Sequence, residues 1–261
     1  MNPGFLVICH GSRDASWVVL VDEAVQQAVL PEGLPVEVVF LEIVEGRLIQ
    51  DGIDRLEAKG VTDLLVIPFF VSGGSTHLDE IAYALGVKAE PAIETDLGPF
   101  RVRANVYFGQ PMDSEPEELA KIIIEKHHEN LSAEESKDPE VLLLVAHGSD
   151  HPVFYERWVQ GIQRIADEVR KQDKFVEVDT ALLLPDQMYD KIIRWQNETD
   201  YTVRLVPLFL SSGYFTNRVI PKRMGQAVCK YNGQALLPHP LVSRWLERQA
   251  RTALQSARKN T

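Results

Sequence analysis

His10, Glu42 and His77 are the residues of this chain whose types best suit chemistry, and each follows an apolar run: "LVIC" before His10, "VVFL" before Glu42, "VIPFF" a few residues before His77. Two imidazoles and a carboxylate form a donor set suited to divalent first-row metals such as Fe, Co, Ni or Zn. The same groups can accept protons near pH 7. The plainer alternative is that each histidine caps a helix or fills a pocket mouth. Turn chemistry accounts for Gly11 and Ser12, which suit a tight strand-to-helix turn with Ser12 as the helix cap, but it accounts for no histidine.

The elements that must position these residues come twice. His10-Gly11-Ser12 reappears as His147-Gly148-Ser149, and "VIPFFVSGG" reappears as "LVPLFLSSG" at nearly the same spacing. Such self-similarity marks a duplication. In the first copy "FLVIC", "VEVVFLE", "DLLVIPFF" and "FRVRANVYF" read as strands buried on both faces, with helical patterns from Ala15 to about Leu30, Gly46 to Lys59 and His77 to Leu85. The second copy gives "VLLLVA", "FVEVDTALL", "TVRLVPLFL" and a weaker "QALLP", with helices near Phe154 to Lys171, Pro185 to Asn197, Asn217 to Tyr231 and Val242 to Arg258. Alternation of this kind predicts an α/β protein of two similar doubly wound, flavodoxin-like parallel-sheet domains related by internal duplication. The expected division is 1–112 for the first domain, 113–139 for an acidic helix and polar linker, and 140–261 for the second domain. Ligands of such sheets bind beyond the carboxyl ends of the strands, where His10, Glu42 and His77 all fall.

Other chemistries fit less well. Glycines in "SGGSTH" could present backbone N–H groups to an anion, but the chain has neither G-x-x-x-x-G-K-[ST] nor G-x-G-x-x-G at its first turn, and no G-x-S-x-G elbow. In the second copy Thr216 stands where His77 would be, and Glu42 has no clear acidic equivalent. That copy keeps His147 near Tyr214, Arg218, Lys222 and Arg223, which could grip carboxylates of an organic anion or simply be exposed charges. His127, His128 and His151 read as surface histidines, and Cys9 as a buried structural thiol.

The combination of "CHGSR", "FLE" and "VIPFFVSGGSTHLDEI" resembles the sirohydrochlorin chelatases of the CbiX/SirB type, within the class II chelatase fold, over nearly the whole chain. Members insert a divalent metal into a tetrapyrrole without ATP. The resemblance implies that His10 and His77 bind the metal and take pyrrole protons, that Glu42 assists, and that Fe2+, Co2+ or Ni2+ is a substrate, with no tightly bound cofactor. The candidate ligand-binding residues of the same loops are Ser12, Arg13, Gly73, Gly74 and Ser75. Where family sequences often carry Asp before Ile, this chain has Glu80, with Asp79 alongside. The second copy, lacking a histidine at Thr216, is expected not to insert metal. Two further readings are a non-catalytic metal or tetrapyrrole carrier and a metal-dependent hydrolase.

Composition bounds the partners. The 261 residues carry a net charge of −11, which opposes binding to nucleic acid or anionic membranes, and the two cysteines suggest no disulfide framework. Apolar runs are too short to cross a bilayer, and the start lacks a signal-peptide pattern, so the expectation is a cytoplasmic protein. Duplication can replace a homodimer of single units, so a monomer is expected.

Overall fold

A computed structural model describes residues 1–129 and 139–259. The rest of the expected linker, 130–138, lies outside the described residues. The chain forms two compact units: the first comprises Met1–Phe70, Ser75–Pro111 and Pro240–Thr261, and the second Val71–Gly74 and Met112–His239.

In the first unit, β1 (Pro3–Cys9), β2 (Val36–Phe40), β3 (Asp63–Pro68) and β4 (Asn105–Phe108) form one parallel sheet in the order β2-β1-β3-β4. Helices α1 (Ala15–Gln27), α2 (Ile49–Ala58) and α3 (Thr76–Ala84) connect them. β1 and β3 are buried along their full length, which explains their unbroken apolar sequence. The chain leaves β1 toward one edge and returns through β3 on the other side, so the loops after β1 and β3 flank a topological switch point.

The strand expected from Phe100 begins only at Asn105. Side chains of α2 hold the preceding residues: Gln50 accepts from the Arg101 N–H, and Glu57 accepts from the Arg103 and Ala104 N–H groups. Those donors are therefore lost to the sheet ladder.

The second unit has β5 (Glu140–Gly148), β6 (Glu177–Leu184) and β7 (Thr202–Pro207) in the parallel order β6-β5-β7, with α4 (Pro116–Glu129), α5 (Pro152–Gln172), α6 (Met188–Glu198) and α7 (Ile220–Met224). "QALLP" is not a strand. The chain just before it meets β7 at Lys230, which bonds Val203 and Leu205, and Leu236 and Leu237 donate to Phe209 and Leu210, past the end of β7. Between these contacts Gly233 takes φ 72° and Asn232 caps the Gln234 N–H, so a turn breaks the ladder. The expected helix over 217–231 is shorter too: a π turn at Phe215–Val219 runs into α7, and Gly225 at φ 57° ends it.

The C-terminal helix α8 (Pro240–Lys259) packs with β3, β4 and α1 of the first unit, where Trp245 stacks on Phe69 with ring centroids 5.7 Å apart. α4, which follows β4, packs on α5 of the second unit. The two units thus differ from the blocks 1–112 and 140–261 in that α8 belongs to the first unit and Val71–Gly74 to the second. Amphipathic periodicity gives a helix its buried face but does not name the sheet that buries it.

Among the described residues no helix is long and apolar enough to cross a membrane. Cys9 is fully buried, and burial pushes its thiol pKa up, as suits a structural thiol. Of the histidines expected at the surface, His128 is exposed and His151 half-buried, but His127 is buried at 7% exposure. It sits on the inner face of α4, where periodicity over Leu119, Ile122 and Ile123 places it in the core.

Candidate metal centre

His10 leaves β1 at its carboxyl end, and its neighbour Gly11 has φ 108°. A Cβ on Gly11 would stand 2.2 Å from the carbonyl oxygen of Glu42, so only glycine lets the two loops approach. The Glu42 N–H in turn donates to the His10 carbonyl at 3.2 Å, extending the β1–β2 pairing by one step and bringing both side chains to the same sheet edge. Beyond Glu42 the loop is fastened by Arg47, whose guanidinium makes two bonds to Asp22 at 2.6 and 2.8 Å and lies over the Phe40 ring.

Ser12 does not cap α1; Asp14 does, accepting from the Ser16 N–H at 3.0 Å. Ser12 Oγ instead accepts from the Asp14 N–H and so forms the turn into the helix. Ser149 repeats this bond with the His151 N–H. Gly148, at φ 80°, repeats the close approach of Gly11, its virtual Cβ falling 2.1 Å from the carbonyl oxygen of Leu184. The duplicated Gly-Ser is therefore duplicated turn geometry.

His77 occupies the first turn of α3. Its Nε2 faces the Nε2 of His10 at 3.2 Å, with the rings edge to face at 4.7 Å between centroids. Glu42 Oε1 lies 3.7 Å from His10 Nε2. On their far sides His10 Nδ1 is 3.1 Å from the Gly11 carbonyl and His77 Nδ1 is 3.2 Å from Glu80 Oε2. The three side chains are 40%, 53% and 36% exposed for His10, Glu42 and His77, so a solute can reach them.

Two imidazole nitrogens bound to one tetrahedral ion at about 2.0–2.1 Å stand about 3.3 Å apart. The observed 3.2 Å fits a shared ion. Among the described residues no group of three or more His, Cys, Asp or Glu is drawn together tightly enough to hold a metal. The arrangement is an open pair of imidazoles with a carboxylate beside it.

The remaining loop residues divide by role. Arg13 is exposed, and Ser75 is the N-cap residue of α3 without a side-chain capping bond. The Gly73 N–H donates to both carboxylate oxygens of Asp113 at 3.0 Å and the Gly74 N–H donates to Ser72 Oγ at 3.1 Å, so these amides are already engaged within the second unit. A Cβ on Gly74 would meet Trp158 at 2.7 Å, a packing requirement for glycine. Burial pushes the Asp113 carboxyl up against the opposing pull of its hydrogen bonds. Sequence reading missed Asp113 because its partners lie far away along the chain.

In the second unit His147 bonds the Gly148 carbonyl through Nδ1 at 2.9 Å, as His10 bonds Gly11. Leu184 stands in the place of Glu42, judged by its matching approach to Gly148. Thr216 is buried, its hydroxyl bonded to Gly213, while the Phe215 ring meets His147 edge on at 4.8 Å. One imidazole of the donor set survives there. Arg223 pairs with Asp186 and with the Leu183 carbonyl, whereas Arg218, Lys222 and Tyr214 are exposed.

Comparison with known proteins agrees with this architecture. Structures similar to this chain include SirB from Bacillus subtilis with Fe3+, at TM-score 0.71 and 18% identity over 97% of this chain and 96% of that one. The sirohydrochlorin chelatase SirB from Bacillus subtilis subspecies spizizenii in complex with cobalt matches at 0.71 and 18%, over 97% and 95%. CbiX, described as the terminal enzyme for biosynthesis of siroheme in denitrifying bacteria, matches at 0.58 and 15%, over 97% and 99%. No curated protein matches the chain significantly by sequence. The CbiX family model matches residues 4–130 and 141–253, one stretch for each copy of the repeat, and the chain belongs to the CbiX family.

Proposed function

We propose that this protein is a sirohydrochlorin chelatase that inserts Fe2+ to give sirohaem or Co2+ to give a cobalamin precursor, with the metal and the tetrapyrrole both as substrates. The observation that carries this reading is the facing pair of Nε2 atoms at 3.2 Å with Glu42 beside them. The SirB and CbiX structures support the same reaction class.

Metallation exchanges two pyrrole N–H protons for one M2+, so a site must hold the ion, shed its water and take up two protons. His10 and His77 hold the incoming ion through Nε2. Two ligands rather than a closed set of four leave coordination positions for the macrocycle nitrogens and allow the ion to leave the protein. As it leaves, the freed imidazoles accept the pyrrole protons, and the exposed Glu42 passes them to water. Arg13, Ser12 and Ser75 border the edge from which the macrocycle enters. Each chain carries one such site, works as a monomer in the cytoplasm, and needs no nucleic acid, membrane or resident cofactor.

The test is an anaerobic absorbance time course of sirohydrochlorin with Fe2+, Co2+ or Ni2+ at protein far below substrate. Product in excess of protein supports the chelatase. One equivalent per chain would indicate a carrier, and activity on esters or phosphates without a tetrapyrrole spectral change would indicate a hydrolase.

A further inference from the structure

We infer that Glu80 is the positioning residue of the metal centre: its carboxylate holds His77 in the Nδ1–H form and so turns the bare Nε2 toward His10. This rests on the metal-binding reading of the site and adds a residue outside the His10, Glu42 and His77 set.

The geometry separates two adjacent acids. Asp79, buried at 8% exposure, accepts from the Ala92 N–H at 2.6 Å and from Lys88, and is spent on fastening the segment after α3. Glu80 is three residues beyond His77 on the same helix, a spacing that makes side chains neighbours, and its Oε2 lies 3.2 Å from His77 Nδ1. A carboxylate can only accept there, so His77 Nδ1 must carry the proton. His10 is fixed in the same sense by a different acceptor, the Gly11 carbonyl. With both Nδ1 atoms as donors, both Nε2 atoms carry lone pairs, and they point at each other across 3.2 Å. A cation shared between them reconciles that arrangement. A ligand histidine held by a carboxylate is also a stronger donor than one held by a neutral carbonyl, so the two ligands are unequal and His77 is the stronger.

The test compares wild type, Glu80→Gln and Glu80→Ala. Long-range 15N–1H correlation spectra of the metal-free protein report the tautomer of each histidine, and titration with Co2+ alone reports affinity. Wild type and Glu80→Gln, whose amide oxygen still accepts, are expected to show His77 with the proton on Nδ1. Glu80→Ala is expected to move it largely to Nε2, leave His10 unchanged, and weaken Co2+ binding by about 10- to 100-fold, with a smaller loss in Glu80→Gln. A His77 tautomer that does not depend on residue 80, or a Co2+ affinity equal in wild type and Glu80→Ala, would overturn the assignment. Absence of chelatase turnover in the wild type would remove the proposed reaction without altering the tautomer result, so the two claims fail separately.

Discussion

Gly11 and Glu42 are locked together: a Cβ on the glycine would fall 2.2 Å from the glutamate's carbonyl oxygen, and the glycine's φ of 108° is one that other residues rarely adopt. Gly148 and Leu184 repeat the relation at 2.1 Å in the second unit. Gly11→Ala and Gly148→Ala are each expected to cost about 1–3 kcal/mol or more, because strain and clash add. Thermal melts check the cost. Only Gly11→Ala should also depress chelatase turnover of the folded fraction, since only it displaces Glu42; equal turnover losses would contradict the division of labour between the copies.

Removing the imidazoles should separate chemistry from folding. His10→Ala and His77→Ala are expected to lower turnover by about 10²-fold or more, while shifting the melting temperature little, since both side chains are partly exposed at a sheet edge. His147→Ala should be mild, because Leu184 and Thr216 leave His147 without the rest of a donor set. Initial rates and melts on the three variants decide the matter, and a loss at His147 equal to that at His10 would place chemistry in the second unit.

Ile43, directly after Glu42, has φ 74°, a conformation costly for a β-branched residue, and is 44% exposed. Asparagine tolerates that backbone far better. Ile43→Asn is therefore expected to leave stability unchanged or raise it by up to about 1 kcal/mol, an unusual direction for loss of an isoleucine. A destabilisation above that size in urea melts would show that apolar contacts of Ile43 outweigh its strain.

His127 gives a pH dependence away from the candidate metal centre. Burial, reinforced by the Arg204 charge, lowers its pKa to about 4, although Glu140 lies 3.4 Å away and also accepts from Arg204. The unfolded chain takes up this proton near pH 6.5 while the folded chain does not, so the contribution is present above pH 6.5 and is lost as pH falls toward 4. Urea midpoints should fall over that window, and His127→Gln should flatten the slope. An unchanged slope in the variant would assign the pH dependence to other groups.

Much of this was legible in the chain. The repeat of His-Gly-Ser, the apolar runs before His10 and Glu42, and the strand-end rule assign three side chains to one sheet edge from the sequence alone. What escaped depended on contacts distant in sequence. α8 belongs to the first unit because Trp245 meets Phe69, and nothing in the periodicity of α8 names that partner. His127 looked exposed beside an acidic run, but its helix turns it inward. The choice between Asp79 and Glu80 required knowing that Lys88 and Ala92 claim the first. Fixing Leu184 as the counterpart of Glu42 required the Gly148 approach, since the duplicated loops differ in length.

The proposed reaction requires His10 and His77 to share one metal ion. Titration of metal-free protein with Co2+, followed by visible ligand-field absorption and X-ray absorption at the cobalt edge, tests it directly. One Co2+ per chain with two imidazole ligands is expected, with loss of that signal in His10→Ala or His77→Ala. Binding that persists in both variants, or a bound ion with no imidazole in its shell, would contradict it.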